Sequence, residues 1–292
     1  MQNIKVGVVG IGRGLSFANG AKFVGMELVA LCDVREERLK ELGEQYNVAT
    51  YTEYSKFLEH DMDAVILANY FHQHAPFAIK ALESGKHVMS ETMACKTPAE
   101  GVALIRAVEK SGKIYVFAEN YPYFAYNQEM RRLYQAGEIG EMQYGEGEYN
   151  HSMDSRTFNL LAPGMNHWRN WIPSTYYCSH ALAPIMYITD THPIGVNALS
   201  IPRFKSDKER FHVRRGDPGS VILCRMNNES VVRIMGIVMR GHSIWYRIHG
   251  TRGPMENLRT GNHSALRIVH EPWDMKEGDQ PEKIYQPDFP FH

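Results

Sequence analysis

One short stretch near the N-terminus constrains this chain more than any other. Ile4–Gly10 (IKVGVVG) reads as a buried strand and runs straight into Gly10-Ile11-Gly12-Arg13-Gly14, ahead of a helical stretch over Ser16–Phe23. Gly10 permits a tight turn and Gly12 lets backbone approach a ligand closely. The helix behind them presents N–H groups that lack intrahelical partners. Strand, glycine turn and helix in that order suit a pyrophosphate. Strict spacing would put a third glycine at 15, where Leu15 stands, so Gly14 comes one residue early. Asp33 ends the next strand, Glu27–Asp33, twenty-one residues after Gly12. A carboxylate there accepts hydrogen bonds from ribose hydroxyls and repels a 2′-phosphate, which favours NAD over NADP. Arg13 and Arg35 are the cations able to offset that repulsion.

The pattern repeats in grammar if not in letters. Strand-like runs at Asp63–Ala68, Lys86–Ser90 and Lys113–Ala118 alternate with helical periods at Glu36–Tyr46, His74–Ser84 and Pro98–Ser111. Pro98 and Gly112 sit where a helix start and stop want them. Strands joined by helices of this length imply parallel, right-handed crossovers. The expected fold is therefore α/β, a Rossmann doubly wound parallel sheet over residues 1–120.

Beyond about Tyr121 the grammar changes. Met142–Tyr149, Val196–Ile201, Ser220–Met226, Ser230–Val238 and Ser243–Gly250 are strand-like, with Asn227–Asn228 as a hairpin turn and few helices between. An α+β domain with a mostly antiparallel open sheet is expected over 121–292. The tail from Glu271 shows no periodicity and no closing element. With 32 Lys+Arg against 33 Asp+Glu, no basic excess exists to hold nucleic acid or an anionic membrane. A small-molecule partner is the expectation. The four cysteines form no C-x-x-C pair, the start lacks a signal-peptide pattern, and no apolar run reaches membrane-spanning length. A reducing cytoplasm is the default. His72 and His74 stand two apart with no third ligand evident, so no metal site is expected there.

From His74 through Gly85-Lys86-His87-Val88 to Glu91 the chain resembles the Gfo/Idh/MocA family, and the resemblance runs from residue 1 to about 257. It implies an NAD-binding domain followed by a substrate-binding and oligomerisation domain, the latter expected to be cut short relative to its relatives. The family's Glu-Lys-Pro is here Glu91-Thr92-Met93, and Thr92 lacks the accessible pKa of the Lys that assists proton transfer. The family's Asp four residues before a His is here Tyr176 before His180. Both departures resemble the NAD-dependent glycosidase branch, an α-N-acetylgalactosaminidase family, which carries a Tyr-Pro-Thr-His segment where this chain has Tyr177-Cys178-Ser179-His180. On that resemblance Asn120 and Arg169 join His74, Glu91, Thr92 and the glycine-turn residues as cofactor contacts, and Tyr149 binds substrate.

The expected activity is that of an NAD-dependent sugar oxidoreductase, which removes hydride from a carbinol carbon. His180 is the base, because its unperturbed pKa lies near working pH. Tyr149 or Tyr177 orients the sugar or relays the proton. The alternatives are a glycosidase using bound NAD for transient C3 oxidation and elimination, and a catalytically silent NAD-binding protein. The open sheet face of the second half predicts a homo-oligomer.

Overall fold

β1 (Ile4–Val9) lies at the centre of a six-stranded sheet. The computed structural model describes residues 3–203, 216–237 and 239–288. The chain divides into two units, Met1–Ala118 and Glu119–His292. In the first, β1 is followed by α1 (Gly14–Gly20), β2 (Met26–Cys32), α2 (Glu36–Tyr46), β3 (Ala49–Tyr51) and α3 (Tyr54–Leu58). Then come β4 (Ala64–Leu67), α4 (His74–Glu83), β5 (His87–Ser90), α5 (Pro98–Ser111) and β6 (Tyr115–Phe117). The strands are parallel and ordered β3-β2-β1-β4-β5-β6. Chain direction across the sheet reverses between β1 and β4, and ligands bind outside the carboxyl ends of strands at such a point. One apolar layer gathers Phe57, Leu67, Leu82 and Val88; another gathers Val6, Val8, Leu31 and Leu39. α5 is stopped and started as its sequence predicts. Thr97 Oγ1 accepts from the Glu100 N–H at 3.2 Å, and Gly112 takes φ 62°.

The second unit contains α6 (Ala125–Gln135), β7 (Met142–Asn150), α7 (Ser155–Leu161), α8 (Ser179–Thr189) and β8 (Pro193–Ser200). It continues with β9 (Gly219–Met226), β10 (Val231–Ile237), β11 (Ser243–Gly250), β12 (Gly253–Asn257), β13 (Leu266–Val269) and β14 (Glu282–Tyr285). These eight strands form one sheet, β14-β13-β12-β11-β7-β10-β9-β8, antiparallel except for β7 against β10. The fold class is the one the sequence predicts, with corrections. The turn between β9 and β10 is longer than two residues and places Glu229 at φ 66°. The predicted end of that strand, Val238, lies outside the described residues. The tail does supply an element: β14 pairs with β13 and sends Tyr285 to the core. Its four residues alternate too briefly to register as a period. Helices are also more prominent than expected, since α6 and α8 pack on the sheet.

That packing covers one face. Met130, Ile185 and Ile188 meet Ile234, Tyr246, Ile248, Met255 and Leu266 in the core. α8 can lie close because β7 carries Gly145 and Gly147 beneath it; a β-carbon at 147 would collide with the Ala181 carbonyl. The other face carries a row of alternating charge. Arg233, Glu146, Arg247, Glu256 and Arg267 stand opposite one another in register on β10, β7, β11, β12 and β13. Arg233 reaches Glu146 at 2.7 Å, and Arg267 reaches Glu256 at 3.0 Å and Glu282 at 2.5 Å. Glu148, almost fully buried beside the row, accepts from Arg259, Ser243 and Arg233. Among the described residues no helix is long and apolar enough to cross a membrane.

Candidate functional site

In the first unit the glycine turn is built as its spacing suggests, with one difference. Gly10 has φ 94°, and a β-carbon there would stand 2.5 Å from the Ala68 carbonyl oxygen, so glycine is required twice over. A β-carbon on Gly12 would meet nothing within 4 Å, which leaves room for a ligand to approach the backbone. Gly14, one residue off the usual spacing, takes up the close packing of helix on strand: a β-carbon there would stand 2.7 Å from Val8 Cγ1. The irregular spacing thus reflects where α1 touches β1.

Asp33 follows β2 and is laced to the turn. Its Oδ2 accepts from the Ile11 N–H at 2.9 Å and from Arg35 Nη2 at 3.1 Å. Its Oδ1 accepts from the Arg35 N–H and Nε, each at 2.9 Å. Burial pushes the carboxyl up, but Arg35 and the backbone donors outweigh it and hold it below its ordinary value. A carboxylate has about four acceptor positions, and all are taken. To reach this carboxylate any further donor would have to displace an Arg35 donor. That side chain is 56% exposed, so its release costs little.

Glu91 follows β5 and reaches back to the turn: Arg13 Nε donates to its Oε1 at 2.8 Å, and the Thr92 N–H donates to its Oε2 at 3.1 Å. The Thr92–Met93 peptide is cis. His74 is buried at the start of α4, with Nδ1 2.8 Å from the Met93 carbonyl and Nε2 3.1 Å from the Asn69 carbonyl. Burial holds its pKa below the ordinary value, although both carbonyls pull the other way. Both ring nitrogens face backbone carbonyls and the neutral ring donates to one of them, so the imidazole lies between the segment after β4 and the one after β5.

In the second unit His180 is the second residue of α8 and is buried. Its Nδ1 lies 2.6 Å from Glu119 Oε1, and its carbonyl accepts from the Tyr246 hydroxyl at 2.6 Å. Glu119 is also buried; Oε1 accepts the Tyr121 N–H at 3.2 Å, and Oε2 has no hydrogen-bond partner. Three tyrosine rings surround His180, with centroids 4.4 Å (Tyr121), 4.6 Å (Tyr149) and 5.1 Å (Tyr177) away. Tyr149, the last residue but one of β7, lies on the helix-covered face. Burial, then Tyr177 and Tyr121, push its hydroxyl far up, and burial lifts Tyr121 to about 12. Tyr149 and Tyr121 therefore stay protonated and act as hydrogen-bond groups. The Arg169 guanidinium lies 4.3 Å over the Trp168 ring and 5.8 Å from that of Tyr177. Asn120 is exposed and precedes the short turn Tyr121–Tyr123, with no side-chain hydrogen bond to it. The structure thus brings His180, Tyr149, Tyr177 and Arg169 together. It places Gly10, Gly12, Arg13, Gly14, Asp33, His74, Glu91 and Thr92 in the other unit.

Sequence reasoning missed Glu119. Tyr176, four residues before His180, is 40% exposed and offers no carboxylate. The acid on the imidazole comes instead from Ala118-Glu119-Asn120, sixty-one residues upstream. A lone acid beside an asparagine gives no periodic signal of this role. With Nδ1–H donated to Glu119, the ring's lone pair is on Nε2, the arrangement in which a carboxylate orients a histidine base.

Residues 4–119 match the family model GFO_IDH_MocA, oxidoreductase family, NAD-binding Rossmann fold. The chain is similar to "Glycosyl hydrolase family 109 protein 1" of Shewanella sp. (strain ANA-3), 26% identical over 94% of this chain and 68% of that one. It is 25% identical to an alpha-N-acetylgalactosaminidase of Bacteroides fragilis, over 86% of this chain and 67% of that one. Its fold is that of an inositol dehydrogenase homolog from Azotobacter vinelandii solved with NAD+, at TM-score 0.82 and 18% identity, covering 99% of this chain and 77% of that one.

Proposed function

With a Gfo/Idh/MocA NAD-binding domain in place over residues 4–119, we propose that this chain is an NAD-dependent oxidoreductase acting on a carbinol carbon of a sugar or sugar derivative. The observation that carries the reading is the buried Glu119–His180 pair, 2.6 Å apart within a set of tyrosines. The turn fits the dinucleotide: Gly12 leaves open the space a β-carbon would fill, and Asp33 lies against the same loop. NAD, when bound, supplies a hydride acceptor. The rest belongs to the chain. His180 takes the hydroxyl proton at Nε2, and Glu119 holds the ring's orientation and stabilises the imidazolium. Tyr149 and Tyr177 orient the sugar. Arg13, Gly14, Glu91, Thr92, Asn120 and Arg169 serve the cofactor, with His74 as a positioning residue. The second unit binds substrate and pairs with another copy through its open sheet face. Light scattering on the intact chain should then give a dimer or larger species, and a monomer at micromolar concentration removes that part. The four free cysteines suit a reducing cytoplasm.

A second reading, glycoside cleavage through transient oxidation, is favoured by the names of the relatives at 25–26% identity. One assay separates the two. Free sugars and aryl glycosides are supplied in parallel, and reduced nicotinamide and released aglycone are followed separately. NADH in step with sugar consumed supports the oxidoreductase; aglycone without net NADH supports the glycosidase. His180→Ala should lower either signal about a hundredfold or more while NAD still binds. Retained turnover in that variant sinks the assignment. Protein that holds NAD but gives neither signal is a binder only.

A further inference from the structure

We propose a second, unrelated site in the C-terminal unit, where Glu138, His270 and Asp279 bind a divalent transition-metal cation. Glu138 lies between α6 and β7, His270 directly follows β13, and Asp279 lies just before β14. One ligand atom from each lies within 4.8 Å of the other two.

The imidazole carries the argument. His270 is only 4% exposed. Its Nδ1 lies 3.0 Å from the Gln280 carbonyl, so that nitrogen carries the proton and the lone pair falls on Nε2. A backbone carbonyl on one ring nitrogen is the usual way a ligating histidine is oriented. Nε2 is buried and has no hydrogen-bond partner, although Glu138 Oε1 is only 3.4 Å away. A lone pair and a carboxylate oxygen at that distance repel unless a proton or a metal cation lies between them; a proton would make a hydrogen bond, and none is formed. Two ligands about 2.0–2.1 Å from a tetrahedral ion stand about 3.4 Å apart.

Asp279 completes the set. Its two hydrogen bonds both fall on Oδ2, from Arg252 Nη2 at 2.6 Å and from the Lys276 N–H at 2.7 Å. That leaves Oδ1 for an ion, with Arg252 orienting the ligand from behind, as outer-shell donors do. Arg252 also donates to the Gly137 and Glu138 carbonyls, which fixes the loop that supplies Glu138. One imidazole and two carboxylates suit Zn2+ or a neighbouring first-row ion better than Mg2+, which prefers oxygen throughout. Bound there, the ion clips the β13–β14 hairpin to the loop entering β7.

The test uses the untagged full-length chain, stripped by chelation and titrated with Zn2+ by calorimetry. Metal content is then measured after desalting. One Zn2+ per chain is expected, and saturation at about a hundredfold over Kd should raise the melting temperature by about 5–10 °C. His270→Gln and Glu138→Gln should each weaken binding at least about a hundredfold. Glu138 is one-third exposed, so its variant keeps the fold and preserves the test if His270→Gln does not. Mg2+ should not compete. No stoichiometric binding, binding that survives both substitutions, or equal affinity for Mg2+ each overturns the proposal.

Discussion

Gly147→Ala tests whether the sheet sets the position of the candidate base. The new β-carbon would stand 3.0 Å from the Ala181 carbonyl carbon and nearer still to its oxygen. Ala181 follows His180, so the clash falls at the start of α8. No flexible side chain end lies at the collision; the helix backbone itself must retreat, by about 1 Å. Overpacking of this kind costs about 1–3 kcal/mol, and a backbone collision belongs at the upper end. For a unit of this size that lowers the melting temperature by about 4–10 °C. The chemical effect should be larger, because displacing an imidazole by about 1 Å costs about a hundredfold in rate. Calorimetric melting and turnover should therefore both fall, while NAD affinity in the other unit holds. Ala181→Gly should not rescue the variant, since the carbonyl and not the methyl is struck. Turnover within twofold of the parent and an unshifted melting point would show that α8 does not depend on Gly147 for its seat.

Three further outcomes are expected. Gly12→Ala meets nothing within 4 Å and should leave the melting temperature within about 1 °C, yet weaken NAD about tenfold or more; unchanged affinity in a titration would place the dinucleotide elsewhere. In the parent protein NAD should bind at least about tenfold more tightly than NADP, through Asp33; equal affinities would mean that Arg35, once released, neutralises the 2′-phosphate. His74 has a folded pKa below its ordinary 6.5. Its contribution to stability is thus complete above 6.5 and lost as pH falls through the folded value, and melting curves of His74→Gln should show a flatter pH dependence below 6.5.

How far the sequence disclosed this structure depended on the length of each pattern. Ile4–Val9, Ala64–Leu67 and Pro98–Ser111 were legible because apolar runs, caps and glycine stops agree along them. β3, α3 and β14 were not, since three to five residues cannot establish a period. At the site, Gly10, Gly12 and Asp33 were legible because local backbone needs dictate their types. Glu119 was not: its role exists only where the loop after β6 meets the start of α8, and no local pattern encodes that meeting. Arg35 reads in the sequence as a surface cation, and only the folded chain shows that it already occupies Asp33.

The charged row on the open sheet face works as a check on alignment. Side chains on a strand alternate between faces, so a slip of one residue carries every rung of that strand to the opposite side. On β7 such a slip would thrust Glu146 beneath α8 and strand Arg233 and Arg247 without the anion between them. Burying an unpaired charge in an apolar layer is among the most costly errors a chain can make. Rungs drawn from residues 146 to 267 fit together only when five strands are aligned at once, so one misplaced strand leaves its neighbours unsatisfied as well. An uncharged run such as Ala64–Leu67 carries no such check; the Arg–Glu row accepts one alignment.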